Sequence, residues 1–169
     1  MGSACLQPMH WSVRKPLATK MAAGRSESLG AGNTAYEVGN ELDEYMSVEE
    51  SLMNDLQEFT MSGWVNPGPR DGNRVGLFGQ NDAIEFGFIN PTQIQMWTPA
   101  DSTNYQIDPV DEIPDDTWFH LATVANGNSI DLYINGQPVV KNEGPTLYGR
   151  SNFGFNIAGG GIYDASGNQ

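Results

Sequence analysis

The residues of this chain that could do chemistry are mostly acids, and few stand at a spacing that lets them act together. Asp101, Asp108, Asp111, Glu112, Asp115 and Asp116 fall in one polar stretch, residues 99–116. They are hard oxygen donors of the kind a calcium ion collects in sixes to eights, but they follow no ligand spacing. Glu41 and Asp43 open a strand-like run to Val48 and share one face of it, while Glu44 takes the other. The two histidines are isolated: His10 lies near the N-terminus and His120 alternates with apolar residues as a sheet residue does. Cys5 is the single cysteine, which excludes an internal disulfide, a zinc cluster and a Cys–His nucleophile. Gly159-Gly160-Gly161 lacks the Lys and helix of a phosphate loop and reads as a turn or a close backbone approach. Trp97, Tyr105 and Tyr148 are the aromatic residues best placed to offer a stacking face to a sugar.

The elements that must hold these groups are strands. From Trp118 to Val124 the residues alternate, with Trp118, His120, Ala122 and Val124 on one face and Phe119, Leu121 and Thr123 on the other. Asn126-Gly127 supplies positive-φ residues for a hairpin turn, Ile130, Leu132 and Ile134 alternate in the return strand, and Asn135-Gly136 turns the chain again. Further strands are expected at residues 41–48, 59–65, 74–79, 83–89, 93–98, 138–141 and 153–158, with one helical turn at 51–56. Residues 66–73, 99–116 and 144–152 are expected as loops. Trp64, Phe78, Phe86, Trp97, Trp118, Leu132 and Phe155 form the expected core. Many short antiparallel strands with frequent turn signals make an all-β sandwich or jelly roll.

The length of 169 residues suits one domain with a real core. The net charge is −13 and unevenly spread. Up to Arg25 there are four basic residues and no acids; the remainder carries 21 acids against four basic residues. Residues 1–34 therefore read as a flexible basic extension, with a short helix near Leu17–Ala23, and residues 35–169 as the domain. So acidic a surface repels nucleic acid and anionic lipid and tolerates neutral partners such as sugars. No stretch approaches the roughly 20 apolar residues of a membrane span.

Over residues 36–168 this grammar resembles the laminin G-like jelly roll of the concanavalin A-like lectin/glucanase superfamily. The resemblance is carried by Phe59-Thr-Met-Ser-Gly-Trp-Val65, Thr117-Trp-Phe-His-Leu-Ala-Thr-Val124, Leu132-Tyr-Ile-Asn-Gly136 and Phe155-Asn-Ile-Ala-Gly-Gly-Gly161. It implies a Ca²⁺ at the sandwich rim, with Asp82 as one ligand and Asn152 as a second. Related glycoside hydrolases carry Glu-x-Asp-x-x-Glu on a strand; here Met46 stands in place of the last acid, so the mechanism lacks its proton donor. The chain thus reads as a non-catalytic module that recognises glycan or an extracellular protein through its rim loops. The alternatives are a homo-oligomer completed by edge-strand pairing, since the family's usual final strand is not apparent, and a degenerate glycosidase. The resemblance favours a secreted or cell-surface setting.

Overall fold

The computed structural model describes residues 45–70, 74–99, 113–143 and 149–158 in full, with residue 35 and the backbone of 4–6, 19–21, 25–28, 34–38 and 102–106. In chain order the strands are β1 (Ala4–Leu6), β2 (Thr19–Met21), β3 (Arg25–Ser28), β4 (Thr34–Val38), β5 (Met46–Val48), β6 (Glu58–Pro67) and β7 (Val75–Gln80). They continue with β8 (Ile84–Asn90), β9 (Gln93–Trp97), β10 (Ser102–Gln106), β11 (Phe119–Asn126), β12 (Ser129–Ile134), β13 (Gln137–Glu143) and β14 (Phe155–Ile157). They form two seven-stranded sheets, ordered β13-β12-β11-β6-β1-β4-β3 and β10-β9-β8-β7-β14-β5-β2. The strand pairs are antiparallel. This is the all-β sandwich that the alternation implies. Among the described residues no helix is long and apolar enough to cross a membrane.

The β11–β12–β13 ladder follows the sequence closely. Asn135 (φ 50°) and Gly136 (φ 78°) make the two-residue turn from β12 to β13. The β11–β12 turn is held by the Asn126 carboxamide, whose Oδ1 accepts from the amides of Asn128 and Ser129, both at 2.9 Å. Phe119, Leu121, Thr123 and Ala125 point into the core, against Met61 and Val65 of β6 and Ile130, Leu132 and Ile134 of β12. The second sheet contributes Phe78, Ile84, Phe86, Phe88, Ile94, Met96 and Phe155. The Phe78 and Phe86 rings lie 5.9 Å apart between the paired strands β7 and β8.

Several expectations are corrected. Trp64 is not core: it is 45% exposed, because Met61, Gly63 and Val65 take the inward positions of β6 and parity turns Trp64 outward. Trp97 and Trp118 are half-buried rather than internal. Thr19–Met21, inside the segment expected as helical, is strand β2, paired with Met46–Val48 of β5. A helix of some seven residues is marginal alone, whereas pairing satisfies the backbone at once. Within residues 1–34, β1 and β3 likewise lie in the first sheet. Finally, Ser102–Gln106, expected inside a loop, is β10, which pairs with β9 at the end of the second sheet. Such an end strand needs no apolar alternation, so its sequence hides it. Residues 52–55 form a turn, closed by Leu56 N donating to Met53 O at 3.4 Å, where a helical turn was expected.

Candidate functional site

Parity on the second sheet separates its residues into two sets. Phe78, Ile84, Phe86, Ile94 and Met96 face the core. The alternate positions put Ser47, Asn156, Gly79, Glu85 and Trp97 in one cross-strand row on the other face, through the pairs Ser47–Asn156, Asn156–Gly79, Gly79–Glu85 and Glu85–Trp97. The neighbouring row carries Gly87 opposite Gln95. Neighbouring strands lie about 4.8 Å apart, so Asn156 to Trp97 spans about 14 Å. Glu85 and Asn156 are buried although they lie on the row away from the core. Gly79 and Gly87, both buried, flank Glu85 without side chains beside the half-buried indole. A carboxylate, two carboxamides and an aromatic face are what a neutral polyol requires: directed hydrogen bonds and one apolar surface.

At the β7–β8 end this strip meets a polar knot. Gln80 is fully buried; its Oε1 accepts from Met53 N at 3.0 Å, and its Nε2 donates to Asn54 Oδ1 at 2.7 Å and Ser151 Oγ at 2.8 Å. Asn54 Nδ2 donates to Ser151 O at 2.9 Å, and Ser151 N donates back to Asn54 Oδ1 at 3.0 Å. Ser51 Oγ donates to Phe153 O at 3.0 Å, and Arg150 pairs with Asp55 on the surface. Residues 51–55 and 149–154 are thereby laced together over the end of β7. Gly149 lies so close to Asp82 O and Pro99 that a Cβ there would stand 2.6 Å and 2.5 Å from them.

The opposite end of β7 has its own fastening. The Arg70 guanidinium lies 5.0 Å from the centre of the Phe88 ring, pairs with Asp115 Oδ1 at 3.2 Å and donates to Ile113 O. Burial lowers the pKa of Arg70 from its ordinary value, and the Asp115 charge opposes that shift. Asp116 N donates to Pro67 O at 2.8 Å. Residues 66–70 and 113–116 are thus joined at the end away from Gln80. Among the described residues of the expected loops, 66–70 thus meet 113–116 at this end, while Gly149 meets Asp82 and Pro99 at the other.

Asp82 and Trp97 do come together, through Glu85: Asp82 N donates to Glu85 Oε1 at 2.9 Å, and Glu85 is directly opposite Trp97. Asp82 is exposed, at φ 60° in the β7–β8 turn. Asn152 is exposed at the same rim, between Ser151 and Phe153, whose carbonyls Asn54 and Ser51 hold. Tyr105 is paired with Ile94 whereas Trp97 is paired with Ser102, so the two occupy rows of opposite parity. Tyr148, most of the acidic stretch, and Glu41 and Asp43 lie outside the described residues. The donors fit calcium only in part. Asn81 Oδ1 is buried without a hydrogen-bond partner beside Asp82, yet no group of three or more His, Cys, Asp or Glu side chains gathers among the described residues.

Sequence reading missed Glu85 and Asn156 as members of the strip. Alternation in β8 would have placed Glu85 opposite to Phe86, but only the register shows Trp97 across from it.

A laminin G-type family model of the concanavalin A-like lectin/glucanases superfamily matches residues 39–168. No curated protein matches the chain. Among solved structures, the chain is similar to the receptor binding domain of botulinum neurotoxin type G, at 13% identity and a TM-score of 0.61, over 89% of this chain and 44% of that one. It is also similar to domain 4 of AbnA, a GH43 extracellular arabinanase from Geobacillus stearothermophilus, solved with arabinotriose. There the identity is 18% and the TM-score 0.52, over 82% of this chain and 66% of that one. A third likeness, to carbohydrate binding module CBM66 from Bacillus subtilis, has 14% identity and a TM-score of 0.44, over 87% and 94%. The chain spans less than half of the first of these and just under two thirds of the second. At these identities the first two likenesses show a shared fold.

Proposed function

The chain belongs to the concanavalin A-like lectin/glucanases superfamily, and from that premise we propose that it is a non-catalytic module that binds neutral carbohydrate on the outward strip of the second sheet. The observation that carries this reading is Glu85 directly opposite Trp97, flanked by Gly79 and Gly87. The indole supplies the apolar face, Gln95 supplies an amide group in the neighbouring row and Asn156 another three strands away along the strip, and the glycines admit a ring close to the backbone. Among the described residues Glu85 is the single carboxylate of the strip, and glycoside hydrolysis by the usual routes needs two. That favours binding over cleavage. A protein partner is the competing occupant, and the glycine-bordered polar strip suits a sugar better than the broad apolar centre of a protein interface.

Calcium enters the proposal at the rim, where Asp82 and Asn152 are the expected ligands and the orphaned Asn81 Oδ1 supports an added donor. Calcium bound there would steady the β7–β8 turn that presents Glu85.

Binding is tested by titration calorimetry against arabino-oligosaccharides, the ligand class of one structural neighbour, and against soluble β-glucan, each with and without calcium. Trp97→Ala is expected to weaken binding at least about tenfold, about 1.4 kcal/mol, with Trp97→Phe intermediate. Chelator is expected to weaken binding of the unsubstituted chain. Equal binding by Trp97→Ala and the unsubstituted chain would refute the site.

A further inference from the structure

The opposite face of the sandwich carries a second aromatic platform. Trp64 is the most exposed large apolar side chain among the described residues. It is held firmly: its ring meets the His120 ring edge-on, with centroids 5.5 Å apart and planes at 66°. The two residues are directly opposite in the β6–β11 ladder. The His120 backbone is fixed, since its N donates to Asn135 Oδ1 at 2.9 Å and its O accepts from Asn135 N at 2.8 Å. The next row on this face runs Ser62, Ala122, Tyr133 and Pro138 across four strands.

Charge selects the occupant. The chain carries a net charge of −13, yet none of these six residues is an acid or a Lys or Arg. The charged pair Asp131 and Lys141 begins only one row farther along. An anionic ligand would meet the repulsion of the whole chain, and for a cationic one the nearest carboxylate, Asp131, is one row away, its Oδ2 accepting from the Tyr133 hydroxyl at 3.5 Å and its Oδ1 buried. A neutral sugar has what this surface can meet. Its C–H face stacks on the indole, and hydroxyl groups lie near Ser62 Oγ, the free edge of His120 and the Tyr133 hydroxyl. Two strand spacings, about 10 Å, separate β6 from β12, so the strip accommodates a chain lying across the strands rather than a single ring.

We propose that the outer face of the first sheet, centred on Trp64 and His120, is a second carbohydrate-binding site, taking neutral polysaccharide independently of the Glu85–Trp97 strip. It shares with the proposed function only the ligand class. Two sites on opposite faces cannot grip one short oligosaccharide; they can join two polysaccharide chains, or hold one insoluble surface while a second chain binds.

The test compares the full chain with Trp64→Ala, Trp64→Phe and Trp97→Ala, using soluble arabinan, β-glucan and galactomannan as probes. Calorimetry reads stoichiometry and turbidity reads cross-linking. Near-ultraviolet circular dichroism and urea unfolding confirm that each variant folds. The unsubstituted chain is expected to bind at two sites and to raise turbidity. Trp64→Ala is expected to bind at one site, with cross-linking lost and retention on insoluble polysaccharide reduced about tenfold; Trp64→Phe is expected to recover part of both. If Trp64→Ala matches the unsubstituted chain while Trp97→Ala abolishes binding, the second site is overturned and the first stands. If Trp64→Ala alone abolishes binding, the platform stands and the Glu85–Trp97 proposal falls. Absence of binding to every probe overturns both. A dimer that dissolves in Trp64→Ala, with no sugar bound, would make this face a contact between copies and would overturn the inference.

Discussion

Gln80 is the side chain whose loss should be felt most widely for the fewest atoms removed. Gln80→Leu keeps the volume nearly constant and deletes only the carboxamide. The amide of Met53, a residue only 5% exposed, then loses its acceptor at 3.0 Å. An unsatisfied buried N–H costs about 2 kcal/mol. Asn54 Oδ1 keeps the Ser151 amide, and the half-buried Ser151 hydroxyl can turn to water, so these two lost bonds add only about 1 kcal/mol together. The sum is about 3 kcal/mol. With a urea dependence of about 2 kcal/mol per molar, the midpoint should fall by about 1.5 M without a change of slope.

The same substitution reads the knot as a network. Asn54→Ala should cost less in the Gln80→Leu background than in the unsubstituted chain, with a coupling energy of about 1 kcal/mol, because both changes break the same bond. A midpoint shift below about 0.3 M, or strict additivity, would refute the account of Gln80 as the fastening between residues 51–55 and 149–154.

Gly154→Ala should destabilise by about 2 kcal/mol or more, because a Cβ there would stand 2.2 Å from Val48 O and 3.3 Å from Glu49 Cα, and backbone cannot give way as a side chain can. A melting temperature lower by about 6 °C is expected, and one within about 1 °C of the unsubstituted chain would contradict the close approach. Arg70→Met should cost about 1 kcal/mol and Arg70→Ala about 3, since the side chain is almost wholly buried with its guanidinium over Phe88 and Nη1 unpaired, and Met keeps most of the buried volume while Ala leaves a cavity. Equal urea midpoints for the two variants would show that the charge, not the packing, is what Arg70 contributes.

How much of this was legible in the sequence follows from the range of the interaction concerned. The β11–β12–β13 ladder is local: period two and the Asn-Gly turns specify it without reference to the rest of the chain. Size and hydrophobicity assign Trp64 to the core, although the parity of Met61, Gly63 and Val65 turns it outward. That error hid the platform it shares with His120. The opposition of Glu85 and Trp97 depends on the β8–β9 register, which contains an irregularity between Phe88 and Asn90. A one-residue slip there would set Glu85 against another residue, and no local pattern marks the irregularity. The Gln80 knot joins residues 26, 27 and 71 positions apart in sequence, beyond any periodicity.

The two sheets are not equally knit along their width, and this bears on where binding can reside. In the first sheet β6 pairs with β11 from Glu58 to Val65, an eight-residue ladder, but with β1 only from Val65 to Pro67. In the second, β7 and β8 pair along most of their length, whereas β7 meets β14 at Asn156 and Ile157 alone. The open sheet edge expected from the sequence rests on the family's usual final strand not being apparent. In the first sheet β1, β4 and β3 lie beyond β6, through contacts three to four residues long. Short ladders open more readily than long ones, so the β13-to-β6 and β10-to-β7 half of the sandwich is the stable body. Trp64, His120 and Tyr133 lie on that body on one face, and Glu85, Trp97 and Gln95 lie on it on the other. A binding face pre-formed on the longest ladders loses little freedom when a ligand settles, as the two proposed sugar sites require.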